Sequence, residues 1–154
     1  RSSDLVGDLQ IGVYVAPSYV ERLGAPAHPR ELENTDHRIV GFLSSRTSKI
    51  DPLVLCSENE RIEITGSYVL AVDDGNAYLE AGLAGLGVIA LPVYMAAAHQ
   101  ACGSLIPLFE NWRIDPMPLY LAFPPNRHVN VKLRVFIDWI VELMQQHVPT
   151  STHK

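Results

Sequence analysis

The sequence predicts a mixed α/β fold, and three features carry that prediction. Short β-branched and aromatic stretches alternate with helix-forming ones along the 154 residues. Proline or aspartate opens most helical stretches, and glycine closes them. The chain ends in a long segment whose apolar residues recur at helical spacing.

Each element follows from its own residues. "LQIGVYV" (9–15) reads as a buried strand, and Pro17 starts a short helix, "PSYVERLG", closed by Gly24. "HPRELEN" repeats the device with Pro29 at a helix start. "HRIVGFL" is a strand and "SSRTSK" a polar loop, while "LVLCS" and "RIEITG" form a hairpin around "ENE". "SYVLAV" is a strand leading into "DDGN", where Asp73 or Asp74 can cap the helix "AYLEAGLA" that Gly85 ends. "GVIALP" is a strand, and Pro92 begins the helix "VYMAAAHQA", which Gly103 stops. "SLIPLFENW" and "PLYLAFP" read as a strand pair joined by "RIDPM". In the closing helix Leu133, Phe136, Ile137, Ile140 and Met144 form a core-facing stripe, with Asn130 as N-cap and "VPTSTHK" as a polar tail.

Composition and motifs exclude several classes. A 47% hydrophobic, 19% charged chain is that of a soluble globular domain, and no apolar run reaches the roughly 20 residues that span a bilayer. No signal peptide is visible at the first residues, so a cytoplasmic location is expected. The net charge of −5 and twelve scattered Lys and Arg give little attraction to a phosphate backbone. Cys56 and Cys102 read as reduced, small core hydrophobes. Six histidines without ligand spacing imply no metal, and no G-x-S-x-G elbow or reactive cysteine context points to an enzyme; no cofactor is expected.

The glycine-rich "AGLAGLGVIALP" (81–92) is not a phosphate loop. Its glycines follow a helix, where carbonyls gather negative partial charge, instead of preceding one. Gly85 therefore reads as a left-handed helix end and Gly87 as a point of close approach. The anion-attracting end of the same helix lies at Asp73, Asp74, Gly75 and Asn76.

Four stretches in order, "VYVAPSYVERLGAPAHPREL", "HRIVGFLSSRTSK", "VDDGNAYLEAGLAGLGVIALPVYM" and "LIPLFENWRIDPMPLYLAFPPNRHVNVKLRVFIDWI", carry a resemblance to a known family. Across about residues 9–143 the chain resembles the effector-binding (substrate-binding) domain of LysR-type transcriptional regulators. That resemblance implies a type 2 periplasmic-binding-protein fold with one lobe complete and the other partial. It places a domain over 1–147 lacking its first strand and helix, and a tail over 148–154. The implied function is effector binding and dimerisation without the winged helix-turn-helix, so DNA is reached only through a missing N-terminal domain. A free-standing ligand-binding module or solute-receptor remnant is the alternative.

The expected ligand is a small organic metabolite, with carboxylates among the classes that fit. The resemblance sets "SSRTSK" at the cleft, where the hydroxyls of Ser44, Ser45 and Thr47 and the guanidinium of Arg46 can clamp a carboxylate; a solvated loop is the alternative. Asp73 and Asn76 are candidates for the same site or for capping. Dimerisation is implied for the helix bearing Val93, Tyr94, Met95, Ala97 and Ala98, with buried core as the other reading. Apolar surface left on the last helix and the neighbouring sheet edge predicts a dimer or higher oligomer.

Overall fold

The computed structural model of the chain describes residues 3–34, 36–123 and 131–147. In chain order the elements are β1 (Ser3–Leu9), β2 (Ile11–Val15), α1 (Pro17–Leu23), a 3-10 helix (Pro29–Glu33), β3 (Ile39–Phe42), β4 (Leu53–Cys56), β5 (Arg61–Ile64), β6 (Tyr68–Val72), α2 (Gly75–Leu83), β7 (Ile89–Pro92), α3 (Val93–Ala101), β8 (Ile106–Leu108), β9 (Met117–Ala122) and α4 (Val131–His147). The chain divides into two units: Ile11–Asp115, and the first ten residues together with those from Pro116 onward.

In the larger unit β2 is flanked antiparallel by β7 and β8, and β3 pairs parallel with β6. A parallel bridge between Ile39 and Val88 joins the two ladders. The Val40 N–H donates to the Val88 carbonyl (3.0 Å), and the Val88 N–H to the Arg38 carbonyl (2.9 Å). The strands thus run β6-β3-β7-β2-β8. Gly87 sits at this join: a Cβ there would lie 3.0 Å from both the Arg38 carbonyl and the Val40 nitrogen, so the close approach is to β3.

Period-two alternation sends side chains to both faces of this sheet. Val13, Val15, Ile39 and Val88 pack with Tyr19 of α1, Leu32 and the β4–β5 hairpin residues Leu55, Ile62 and Ile64. Tyr14, Val40, Ile89 and Leu91 pack with Tyr78 and Ala81 of α2 and Ala96 of α3. Each fully buried large apolar side chain contributes about 1.5–3 kcal/mol. The first cluster also holds a polar pair: the Arg38 N–H donates to the Tyr19 hydroxyl (3.0 Å), which is also hydrogen-bonded to His37 Nδ1 (2.9 Å).

Helix α2 ends in a Schellman motif. Gly85, at φ +75°, donates its N–H to the Gly82 carbonyl and Leu86 donates to that of Ala81. A Cβ at Gly85 would also collide with the Ser18 hydroxyl, while the Arg22 guanidinium donates to the Gly85 carbonyl.

In the smaller unit β1 pairs antiparallel with β9, from Ser3↔Ala122 to Leu9↔Met117, and α4 packs on β1; Val6, Leu9 and Ile137 are buried.

Several expectations change. The expected pair of strands on either side of "RIDPM" does not form: β8 joins β2, while β9 joins β1. The segment after β8 turns at Phe109 (φ +55°) and exchanges two 2.8 Å backbone hydrogen bonds between Arg113 and Cys56, which pulls it toward β4 instead of folding it back. Leu9 ends β1 and does not open β2. "HPRELEN" is a single 3-10 turn. Phe136 is half exposed, beside Trp139 on the flank of α4, because a two-stranded sheet covers only the narrower Leu133–Ile137–Ile140 stripe. Cys102 is exposed just past α3, with Sγ 3.1 Å from the Ser104 hydroxyl, while Cys56 is half buried; both are free. Asn130 and the tail 148–154 lie outside the described residues.

Candidate functional site

Two polar segments leave the carboxyl ends of adjacent parallel strands. β3 runs into residues 44–49 and β6 into residues 73–76, and the Leu43 N–H donates to the Val72 carbonyl (2.7 Å) at the point where they part. In open α/β sheets this is the edge where ligands sit.

The loop is built, not loose. Ser44 donates its N–H to the Lys49 carbonyl (2.9 Å), Ser48 to that of Ser44 (2.8 Å), and Asp51 to that of Phe42 (2.9 Å). Ser48 accepts φ +54° to close the turn, and the Thr47 hydroxyl accepts from the Lys49 N–H (3.4 Å). Among the described residues the hydroxyls of Ser44 and Ser45 and the guanidinium of Arg46 have no hydrogen-bond partner. Ser44 is half buried; Ser45, Arg46 and Thr47 are exposed.

At the start of α2 the cap is Asp74, whose Oδ1 accepts from the Ala77 N–H (2.8 Å). Asp73 and Asn76 are exposed beside it. The amides of Gly75 and Asn76, in the first turn, lack acceptors inside the helix and carry its positive partial charge.

Behind both segments stands Tyr78, which sequence reasoning did not single out. Its ring meets Phe42 edge-on at 5.4 Å, and its hydroxyl accepts from the Ala90 N–H (3.0 Å), so one side chain ties α2 to β3 and β7. Burial pushes its phenol up to about 12. The signal for it was faint: an aromatic residue one helical turn after a cap.

On α3, Val93, Tyr94, Ala97 and Ala98 are exposed, Met95 is half buried and Ala96 faces the core. Tyr94 is 61% exposed, a large apolar ring turned outward. Among the described residues no three metal-binding side chains gather at one point, and no helix is long and apolar enough to cross a membrane.

Comparison with known proteins places this geometry. The chain is 26% identical over 140 residues to an HTH-type transcriptional repressor of Pseudomonas aeruginosa, covering 91% of this chain and 44% of that protein. It is 28% identical over 143 residues to the uncharacterized HTH-type transcriptional regulator YhjC of Escherichia coli, covering 93% and 47%. The chain thus spans about half the length of these relatives. Its fold is that of the regulatory domain of CrgA, a LysR-type transcriptional regulator from Neisseria meningitidis (TM-score 0.74, 22% identity, 92% of this chain and 67% of that one). It is equally similar to the regulatory domain of an AphB variant from Vibrio vulnificus (TM-score 0.75, 22% identity, 91% and 68%). The LysR substrate binding domain matches residues 2–145, nearly the whole sequence. The chain belongs to the LysR substrate binding domain family.

Proposed function

We propose that this chain is the effector-sensing part of a LysR-type transcriptional regulator, and that it holds a small organic acid between the 44–47 loop and the start of α2. One observation carries this reading: two serine hydroxyls and a guanidinium without hydrogen-bond partners among the described residues lie on a strand end hydrogen-bonded to the strand that leads into the N-terminus of α2. Arg46 supplies bidentate charge, Ser44 and Ser45 supply hydroxyls, and the Gly75 and Asn76 amides supply directed donors. The exposed carboxylate of Asp73 opposes a large anionic charge there, which favours a single carboxylate over a phosphate or a dicarboxylate.

The ligand acts by population shift, which requires different affinities for two states of the regulator. DNA contact belongs to a segment outside these 154 residues, as the helix-turn-helix names of the relatives suggest. Such a regulator works in the cytoplasm and self-associates, with the outward residues of α3 as the contact.

A thermal-shift screen of aliphatic and aromatic carboxylates tests the reading, since a ligand of the folded state raises the melting temperature with saturation. The Ser44→Ala, Ser45→Ala double variant should lower affinity for the best acid about tenfold, as for hydrogen bonds to a charged group. Its unliganded melting temperature should stay unchanged. Undiminished affinity in that variant would place the site elsewhere.

A further inference from the structure

The β2–β8 side of the same sheet holds a pocket of about 290 Å³ that shares no residue with the loop at 44–49. β2 forms its floor, Gln100 near the end of α3 one wall, and the 109–112 segment after β8 the other. At the ~30 Å³ that a water occupies in the liquid, it has room for roughly ten non-hydrogen atoms.

Tyr14 gives the pocket a polar floor. The residue is only 3% exposed, yet its hydroxyl has no hydrogen-bond partner among the described residues. The phenol oxygen lies over Gly12, where a Cβ would meet it at 2.5 Å, and both residues line the pocket. Among the described residues no fully buried side-chain oxygen or nitrogen lacks a partner, so the unpartnered Tyr14 oxygen is one that solvent or a ligand can still reach.

The far wall is held in an unusual conformation. Phe109, a non-glycine residue, sits at φ +55°, and the Trp112 N–H donates back to its carbonyl (2.8 Å). Such strain persists where the surroundings over-determine it, and it gathers at ligand-clamping segments. The turn brings Phe109, Glu110 and Trp112 to the pocket, and Trp112 is steadied edge-on by His28 at 5.2 Å.

Charge decides the ligand class. Among the described residues no Lys, Arg or His lines the pocket, and Glu110 is the one carboxylate that does. Aromatic walls attract cations through the ring face. We infer that this pocket is a second ligand site, taking a small organic amine whose ammonium pairs with Glu110 and whose polar end meets the Tyr14 hydroxyl and the Gln100 carboxamide. The inference stands apart from the acid site proposed at 44–47, which has the opposite charge.

Isothermal titration of the full chain with tyramine tests it, because that probe carries an ammonium and a phenol at opposite ends of one ring. Tyramine should bind saturably at one site, and 4-hydroxyphenylacetate about tenfold more weakly or not at all. Tyr14→Phe and Glu110→Gln should each weaken tyramine binding about three- to tenfold, with the near-UV circular dichroism showing that both remain folded. The Ser44→Ala, Ser45→Ala variant should bind tyramine as the native chain does. The inference is overturned by the absence of saturable heat up to ~10 mM, by equal binding of the acid, or by affinity unchanged in both variants. Tyramine binding lost only in the serine variant would overturn it as well, since the amine would then occupy the loop.

Discussion

Asp73 and Asp74 are neighbours of the same type with different work. Asp74 caps α2 through the Ala77 amide, so Asp74→Ala should cost about 1 kcal/mol in urea unfolding, the usual value of a lost cap. Asp73→Ala should leave stability nearly unchanged, because that side chain caps nothing. The tyrosines give a second expectation. Tyr14, Tyr19, Tyr68 and Tyr78 all have phenols raised from 10.0 by burial, Tyr78 to about 12. The unfolded chain releases these protons at lower pH than the folded one, so their contribution is full below pH 10 and is lost as pH rises toward 12. The urea midpoint should hold level to about pH 10 and then fall, and Tyr78→Phe should flatten part of that fall. A flat profile in the native chain would show that the buried phenols are not differentially held. Sequence alone could narrow the cap to two aspartates, but which one reaches the Ala77 amide depends on where β6 stops.

Elements punctuated by proline and glycine were legible because those residues act locally. Pro17, Pro29, Pro92, Gly24, Gly85 and Gly103 mark ends that need no distant partner. The first strand was not, and neither was the pairing of the last two. β1 is interrupted by Gly7 and by two aspartates, and its pairing with β9 shifts register between Leu5 and Gly7, so no clean alternation announces it. β8 and β9 look like a hairpin because they are close in sequence, yet each pairs with a strand about a hundred residues away. The loop at 44–49 was legible as polar chemistry beside a strand. The Tyr14 pocket was hidden because its floor and walls come from residues 11–14, 100 and 107–114, which only tertiary packing brings together.

For the chain as a unit of assembly, apolar side chains stand outward in both parts. Val93, Tyr94, Ala97 and Ala98 line one face of α3. In the smaller unit Leu5, Met117, Tyr120, Val135, Phe136 and Trp139 are exposed, the last at 54%. Proteins seldom leave such patches bare. Light scattering at micromolar concentration should give at least twice the 17.0 kDa of one chain. Replacing Tyr94 and Ala97 together by Glu should shift the mass toward the monomer if α3 is the contact. A native monomer would count against self-association, and an unshifted double variant would move the contact to the β1–β9 and α4 face.

The join between Val88 and β3 has a mechanical corollary. Any side chain at position 87 presses on the middle of the five strands, because backbone stands 3.0 Å away and would have to give by a few tenths of an ångström. The strain would fall on the bridge that holds the β3–β6 pair to the other three strands, and a two-strand ribbon by itself is marginal in water. The smallest residue in the chain thus acts as the rivet between the half that carries the acid-binding edge and the half that carries the tyrosine floor.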